Sequence, residues 1–345
     1  MDEGFGFCQE IIRRPPPQRY TSWKLLRGVL GSTPISVLNY TTADMWAAVR
    51  ELLRRKTFDV LHVEGTVMSA YVSLAPPPIK VVHDWHNIES ELMQRYATTD
   101  PSPMRRWYAR QTASRLAALE QDLLRRDVHL VCSDREAREL ERRSPGARIH
   151  VVPNGVDAAY FADAAESDAC GRYRLLFVGA MDYHANVEGA LDFAKLWPEI
   201  HRVWPHLRWT LAGSNPVPAV RALADMPGVE VTGTVPDLRP YYATAVAAVV
   251  PLRTGSGTRL KILEALAAGV PIVSTALGAE GLAVKSGEHL LLAGTDADWL
   301  EALHRLVDHP AEGQRLAAAG RKLVLQTYDW SVIGASLRSI YEGLA

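Results

Sequence analysis

Short apolar stretches alternate along the chain with segments whose apolar residues recur every three or four positions. The first pattern predicts buried strands and the second predicts amphipathic helices. From about residue 42 the predicted elements are helix 43–55, strand 58–63, a short helix, strand 79–83, helices 88–98 and 103–125, strand 127–131, helix 134–143 and strand 148–152. Such alternation is typical of βαβ units and a mostly parallel sheet.

A second series follows the polar, Ala- and Asp-rich stretch 163–171, which we interpret as a linker. Its predicted strands are 174–178, 208–212, 229–232, 246–250 and 271–274. Its predicted helices are 186–203, 237–245, 259–268, 296–308 and 311–326, and an amphipathic segment begins at Ser331. We therefore expect an α/β protein with domains 1–162 and 171–327, followed by a C-terminal helix over 328–345 that packs back on the first domain.

Composition narrows the class of protein. A chain of 345 residues is long enough for two domains, and 48% hydrophobic with 22% charged residues is typical of a soluble globular protein. The net charge of −1 gives no electrostatic reason to expect nucleic-acid binding. The three cysteines, Cys8, Cys132 and Cys170, form neither a metal motif nor a disulfide framework. We expect a cytoplasmic protein.

The segment 251–275 carries the most specific chemistry. Its pattern predicts a buried strand, a Gly-rich loop, a helix and a second buried strand. A loop of this kind exposes backbone N–H groups at the positive end of the helix dipole, which favours an anion such as phosphate. Arg253, Arg259 and Lys261 add positive charge beside the loop.

Glu264 makes the same segment more specific. On a helix predicted to begin near Thr258, this residue lies within the apolar stripe of Leu260, Leu263 and Ala267. An inward-facing carboxylate costs free energy unless a donor binds it. Glu264 is therefore either a structural carboxylate held by backbone or arginine, or a ligand-binding carboxylate for hydroxyls such as those of a ribose. Beside a phosphate loop, the second interpretation predicts a nucleotide site.

The segment 253–281 resembles the donor-site signature of the family 4 glycosyltransferases. Further matching segments, in the family's order, are 58–64, 83–89, 152–157, 177–183, 231–237 and 328–330. The resemblance covers the chain from about residue 58 and implies the GT-B fold, in which two Rossmann-like domains with parallel sheets face each other across a cleft. It also implies transfer of a hexosyl group from a nucleotide-diphosphate sugar to a glycan or lipid-linked acceptor, as in polysaccharide biosynthesis. Retention of configuration, with no cofactor and no metal ion, is part of that expectation.

Ligands of open α/β sheets bind outside the carboxyl ends of the strands, so the loops there supply the candidate donor contacts. These are Gly179, Asp182, Asn186, Gly213, Val235, Arg253, Gly257, Thr258, Arg259, Lys261 and Glu264. By resemblance, Glu264 would bind the ribose, Gly179 would approach the diphosphate, and Ser256 would act at the transferred sugar. Asp182 and Asn186 are equally compatible with helix capping.

In the first domain, a His-x-x-His-Asn-x-Glu cluster follows a predicted buried strand. By resemblance, His86 is the catalytic candidate that contacts the transferred sugar. The acceptor-side candidates are Glu64, Gly65, His83 and Glu89. Structural alternatives stay open, because a histidine here can belong to the core and either glutamate can cap a helix. The residue types would allow metal ligation, but no cysteine or third liganding cluster accompanies the two histidines.

The chain departs from the family pattern in three places. Ser256 stands where many relatives have an acidic residue, and Ala180 and Asn186 stand where many have Arg and Lys. Residues 1–57 contain no opening strand with a Gly-rich loop, so we expect the first domain to lack its first strands. These departures keep open a non-catalytic nucleotide-sugar-binding protein or an inactive fragment. A sugar-nucleotide epimerase or phosphorylase of the same fold is a further alternative.

The predicted helix around 104–126 is rich in arginine, with Trp107 and Tyr108 interleaved. Such a face usually lies in solvent, but it can also contact an anionic membrane, which would suit a lipid-linked acceptor. Peripheral contact with the inner face of the membrane is the second interpretation.

Overall fold

A computed structural model describes residues 7–15, 21, 24, 27–28, 31–165, 172–255 and 257–344. The chain divides into two compact units, unit 1 (Met1–Val151 with Glu342–Ala345) and unit 2 (Val152–Tyr341). Each unit contains one sheet whose paired strands are all parallel, which confirms the predicted α/β class.

Unit 1 has a four-stranded sheet in the order β1-β2-β3-β4. The strands are β1 (Val60–Glu64), β2 (Lys80–Trp85), β3 (Val128–Val131) and β4 (Ile149–Val151). The helices are α1 (Ile35–Tyr40), α2 (Ala43–Arg55), a 3-10 helix (Thr66–Leu74), α3 (Glu89–Thr99), α4 (Pro103–Leu123) and α5 (Asp134–Arg143). Helices α2, α4 and α5 begin where Thr42, Ser102 and Ser133 cap the first turn with their hydroxyls.

Unit 2 has a six-stranded sheet in the order β10-β9-β8-β5-β6-β7. The strands are β5 (Arg174–Val178), β6 (Arg208–Ala212), β7 (Val229–Gly233), β8 (Ala245–Val250), β9 (Ile272–Ser274) and β10 (Leu291–Leu292). The longer helices are α7 (His184–Val203), α10 (Leu260–Ala267), α11 (Asp296–Val307), α12 (Pro310–Leu323) and α13 (Trp330–Glu342). The short ones are α6 (Ala162–Ala165), α8 (Pro218–Arg221), a 3-10 helix (Ala222–Asp225), α9 (Arg239–Ala243) and a π-helical turn (Val324–Tyr328).

The central strands β5 and β8 of unit 2 are buried almost throughout, which is why they are nearly continuous apolar runs. In unit 2 the buried core includes Phe177, Trp197 and Trp209. In unit 1 the core contains polar side chains as well. Trp85 donates its indole N–H to Nδ1 of buried His129 at 3.2 Å.

One packing prediction is wrong. The helix begins at Leu260 rather than near Thr258, and the Leu260 side chain is 46% exposed instead of lying in the buried stripe. The buried face of α10 is instead formed by Ile262, Leu263 and the run 265–267. Leu260 is the first residue of the helix and directly follows the Gly-rich loop, so it lies at the end of the apolar stripe rather than within it.

Candidate functional site

The strand order of unit 2 reverses next to β5. From β5 the chain continues outward to β6 and β7 on one side, whereas β8, β9 and β10 follow on the other. The loops after β5 and β8 therefore leave the sheet at neighbouring points and in opposite directions. This is the switch point at which open α/β sheets bind ligands.

Gly179 and Gly213 let the ends of β5 and β6 approach each other. The Gly179 N–H donates to the Ala212 carbonyl at 3.0 Å, and the Met181 N–H donates to the Ser214 carbonyl at 2.7 Å. A Cβ placed on Gly213 would stand 1.8 Å from the Gly179 carbonyl oxygen. Glycine is required at position 213 because backbone occupies the place of a side chain.

Lys261, on the first turn of α10, reaches the same end of β5. Its Nζ donates to Oδ1 of Asn186 at 2.7 Å, lies 4.5 Å from the Phe177 ring centroid, and would be 2.9 Å from a Cβ on Gly179. The pKa of Lys261 is lowered to about 7, chiefly by burial and in addition by the Arg259 charge, while the Glu264 charge opposes the shift. A lysine with this pKa gains a proton readily when an anion arrives.

Tyr183, the residue that precedes α7, makes no side-chain capping hydrogen bond. The buried Asn186 amide donates from Nδ2 to the Ala180 carbonyl at 2.8 Å and orients Oδ1 toward Lys261. Asp182 is exposed and accepts from Nδ2 of Asn215 at 3.1 Å. Both side chains thus form hydrogen bonds with partners outside the first turn of α7.

The Gly-rich loop leads directly into α10. Gly257 has a φ of +79°, and Arg259 is buried and donates from Nη1 to the Gly257 carbonyl at 2.8 Å. Arg259, the residue that precedes α10, makes no side-chain capping hydrogen bond, and the first N–H groups of the helix face the loop. Thr258, which lies between Gly257 and Arg259 in the sequence, is partly buried. Ser256, predicted to act at the transferred sugar, lies outside the described residues.

Glu264 lies three residues after Lys261, on the neighbouring turn of α10. Its Oε2 accepts a hydrogen bond from the buried Tyr242 hydroxyl at 3.1 Å. Burial raises the pKa of Glu264, while the Tyr242 hydrogen bond and the Lys261 charge oppose the shift. Oε1 has no hydrogen-bond partner among the described residues, so this oxygen is open to a ligand hydroxyl.

The remaining donor candidates lie around this centre. Arg253 is exposed and forms an ion pair with Asp192 of α7, with Nε 2.6 Å from Oδ2. Val235 is partly buried in the loop that follows β7. The structure thus brings Gly179, Asn186 and Lys261 into contact, and places Arg253 and Val235 in loops at the same edge of the sheet.

In unit 1 the structure brings Glu64, Gly65 and His86 together at the ends of β1 and β2. Nε2 of His86 lies 3.2 Å from Oε2 of Glu64, and a Cβ on Gly65 would be 3.3 Å from Cδ2 of His86. Glu89 is the first residue of α3 and does not cap it. Burial and the nearby Glu120 raise the pKa of Glu89, with His86 opposing.

His83 lies apart from that group. Its side chain is fully buried in contact with Trp85, at a ring-centroid distance of 4.8 Å, and burial lowers its pKa to about 3. This position agrees with the core alternative. Sequence reasoning missed His62 and Asp84, which lie beside Glu64. The two-residue period of His62 and Glu64 along β1 was the signal that could have found His62. Asp84 lies on β2, so no spacing along β1 indicates it.

A cavity of about 660 Å³ lies elsewhere in unit 2. It is lined by Val246, near the start of β8, and by Pro271, just before β9. The cavity therefore lies at the amino ends of these strands. It is remote from the carboxyl ends that carry the candidate donor contacts. Among the described helices, none has both the length and the apolar character needed to cross a membrane.

Comparison with known proteins gives two family matches. Residues 11–160 match the family described as Glycosyltransferase Family 4, and residues 172–309 match Glycosyl transferases group 1. Glycogen synthase of Mycobacterium tuberculosis is 31% identical over 247 residues, which cover 68% of this chain and 59% of the relative. Phosphatidyl-myo-inositol mannosyltransferase of the same species is 27% identical over 221 residues, covering 61% of this chain and 58% of the relative. The chain thus spans less than two thirds of these relatives.

Solved structures show the same fold. Sucrose-phosphate synthase from Thermosynechococcus elongatus has a TM-score of 0.71 at 20% identity, covering 96% of this chain and 86% of that one. Anabaena HepE in complex with UDP and glucose has a TM-score of 0.65 at 12% identity, covering 95% of this chain and 84% of that one. The predicted GT-B fold class is confirmed by these likenesses together with the two parallel sheets.

Proposed function

Because the chain belongs to the family 4, or group 1, glycosyltransferases, we propose that it transfers a hexosyl group from a nucleotide-diphosphate sugar. The acceptor would be a hydroxyl of a glycan or a lipid-linked glycan, and the configuration at the transferred carbon would be retained. The observation that carries the proposal is the arrangement on α10, where Lys261 reaches the end of β5 and Glu264 keeps one carboxylate oxygen open.

In this proposal Lys261, Arg259 and the N–H groups at the start of α10 bind the diphosphate. They stabilise the negative charge that grows on this group as the bond to the sugar breaks. The transfer step needs no metal ion, because these fixed positive groups perform the charge stabilisation. The leaving phosphate oxygen accepts the proton of the acceptor hydroxyl.

Glu264 would bind the ribose hydroxyls through Oε1, while Tyr242 fixes the carboxylate through Oε2. Gly179 and Gly213 would allow the diphosphate to approach the backbone. His86 would contact the transferred sugar, with Glu64, Gly65 and Glu89 on the acceptor side. UDP is the first nucleotide to test, since the solved HepE complexes contain UDP or UDP-glucose.

The test is calorimetric titration of the protein with UDP-, GDP- and ADP-glucose. We expect selective binding of one of the three, and Glu264→Gln should weaken that binding about 10- to 100-fold. The reason is that hydrogen bonds to a charged group contribute about 1.5–3 kcal/mol. Glu301→Gln, at an exposed position of α11, is the matched control and should bind as the unchanged protein does. Failure of the folded protein to bind any of the three would refute the donor-site assignment.

Ser256 favours one second candidate, a protein that binds nucleotide sugars without turning them over. The family resemblance implies an acidic residue at this position in many members, whereas this chain has a hydroxyl, which has no charge to place at the transferred sugar. Release of nucleoside diphosphate from the donor that binds, measured with and without crude glycan and lipid extracts as acceptors, separates the two candidates. Stoichiometric binding without release in any mixture would favour the binding protein.

We also propose that the start of α4 contacts the cytoplasmic face of the membrane. Met104 and Trp107 are 76% and 54% exposed, beside exposed Arg105 and Arg110. In cosedimentation, we expect binding to phosphatidylcholine vesicles only when phosphatidylglycerol is included. Trp107→Ala should weaken it about tenfold, because burying an aromatic side chain stabilises by roughly 1.5 kcal/mol or more. Trp330→Ala is the control, since Trp330 is also 54% exposed and the sequence from 322 to 337 contains no arginine. Equal loss in both variants would contradict the proposal.

A further inference from the structure

His62, Glu64 and Asp84 present their side chains together on one face of the unit 1 sheet. His62 and Glu64 are two residues apart on β1, so they project to the same side of the strand. Asp84 of β2 pairs in register with Glu64. The carboxylates of neighbouring strands and the imidazole therefore meet at the carboxyl end of these strands.

The distances among these side chains are short. Nε2 of His62 lies 3.2 Å from Oε1 of Glu64 and 3.8 Å from Oδ2 of Asp84. One ligating atom from each of the three residues lies within 4.8 Å of the other two. Zinc bonds of about 2.0–2.2 Å place the ligand atoms of a tetrahedral site about 3.4 Å apart. The three side chains therefore need only a small movement to bind one ion.

The charges of the cluster also favour the binding of a cation. Glu64 and Asp84 are register partners on neighbouring strands and bring two carboxylates close together. His62 and Asp84 are three-quarters buried, whereas Glu64 is exposed. A divalent cation would neutralise both carboxylates at once and would accept the lone pair of a neutral imidazole.

His86 lies next to the cluster and contacts Glu64. Its Nε2 lies 3.2 Å from Oε2 of Glu64, the oxygen that does not face His62. A side chain that contacts a metal-ligating carboxylate can orient it and tune its affinity for the metal. His86 is therefore a positioning residue for the carboxylate of Glu64.

We propose that His62, Glu64 and Asp84 bind a divalent transition-metal cation. One imidazole and two carboxylates suit Zn²⁺, Mn²⁺ or Fe²⁺. Three protein ligands leave at least one coordination position for water or for an oxygen atom of a ligand. The inference goes beyond the proposed sugar transfer, which uses no metal ion, and metal binding can be measured without donor or acceptor.

The experiment is titration of chelator-treated, full-length protein with Zn²⁺ by calorimetry, and with Co²⁺ by visible absorption. We expect one ion per chain, with Co²⁺ d–d bands that report the coordination geometry. His62→Ala and Asp84→Asn should each weaken Zn²⁺ binding about 100-fold or more and abolish the Co²⁺ bands, whereas His86→Gln should weaken binding about tenfold. Asp84→Asn preserves the shape of the side chain and tests the proposal even where His62→Ala disturbs folding.

A pair of histidines in unit 2, far along the chain from the proposed site, supplies the control. His304 lies against His309 at a ring-centroid distance of 5.3 Å, and its Nδ1 is 2.5 Å from Oδ2 of Asp308, so this surface group is the competing chelator. The double variant His304→Ala/His309→Ala should bind Zn²⁺ as the unchanged protein does. Binding that survives Asp84→Asn and disappears in the double variant would overturn the proposal, as would the absence of binding to the unchanged protein. Neither result would alter the donor-binding test.

Discussion

Replacing Lys261 with methionine should weaken the binding of UDP by about 30-fold to a few thousand-fold. Lys261 is held by Asn186 at the end of β5, in a place from which burial has removed most of the water. Removing one partner of a buried, hydrogen-bonded charge pair costs about 2–5 kcal/mol. Methionine keeps the length of the side chain and removes only the ammonium, and calorimetry measures the change directly.

The same lysine predicts how UDP affinity depends on pH. Its pKa of about 7 means that the ammonium is already partly deprotonated at neutral pH. An anion binds the protonated form, so affinity should fall as the pH rises above about 7, and binding at pH 8 should take up a proton. Titrations at pH 8 in two buffers of different ionisation enthalpy measure that uptake. Lys261→Met should abolish it.

Stability supplies the control for misfolding. The folded-state pKa of Lys261, about 7, is below the unfolded value of 10.5, so the unfolded chain binds more protons between these values. The buried lysine therefore lowers the free energy of unfolding by its largest amount below pH 7. This destabilisation disappears as the pH rises toward 10.5. Lys261→Met should not lower stability at pH 7. Lys195→Met, at a 78% exposed side chain of α7, should change neither stability nor UDP affinity. Unchanged UDP affinity in Lys261→Met would contradict the assignment.

Gly213→Ala should destabilise unit 2 by about 3 kcal/mol or more, at the upper end of what overpacking costs. The added carbon would stand 1.8 Å from the carbonyl oxygen and 2.7 Å from the carbonyl carbon of Gly179. These backbone atoms cannot withdraw without breaking the hydrogen bonds of Gly179 and Met181 to the end of β6. Urea unfolding, followed by the fluorescence of the buried tryptophans, measures the change.

Two other glycines separate the clash from the effect of adding any methyl group. Gly233 has a φ of +70° with nothing within 4 Å of its added carbon, so Gly233→Ala should cost only the backbone strain, about 1 kcal/mol. Gly334 lies in α13 with open space around it, so Gly334→Ala should be neutral or slightly stabilising. A Gly213→Ala variant no less stable than Gly233→Ala would disprove the close approach of the two strand ends.

Most strands could be predicted because strands buried on both faces are continuous apolar runs with clear limits. The predicted strand 174–178 matches Arg174–Val178, and 208–212 matches Arg208–Ala212. The two-residue strand Leu291–Leu292 has too little pattern to find. The predicted helix 237–245 is in fact Arg239–Ala243, because apolar residues from 245 onward belong to β8.

The site was only partly predictable for a different reason. Residue types near the Gly-rich loop indicated an anion site, but the pairing of Lys261 with Asn186 depends on how α7 and α10 start at the edge of one sheet. No spacing along the chain encodes that meeting, since 75 positions separate the two residues. Asp84 was missed similarly, because its relation to Glu64 is set by the register of two strands.

The hydrogen bond between Lys261 and Asn186 changes how a lost residue should be interpreted. Where the resembling family places its lysine, this chain has Asn186, and the ammonium arrives at that amide from a different helix. Two backbone positions can therefore reach the point that carries the charge. A comparison made position by position along the chain finds only an amide at 186, although a lysine from α10 contacts that amide. The double exchange Asn186→Lys with Lys261→Asn would test whether the two arrangements are equivalent, and equal UDP affinity is the expected result.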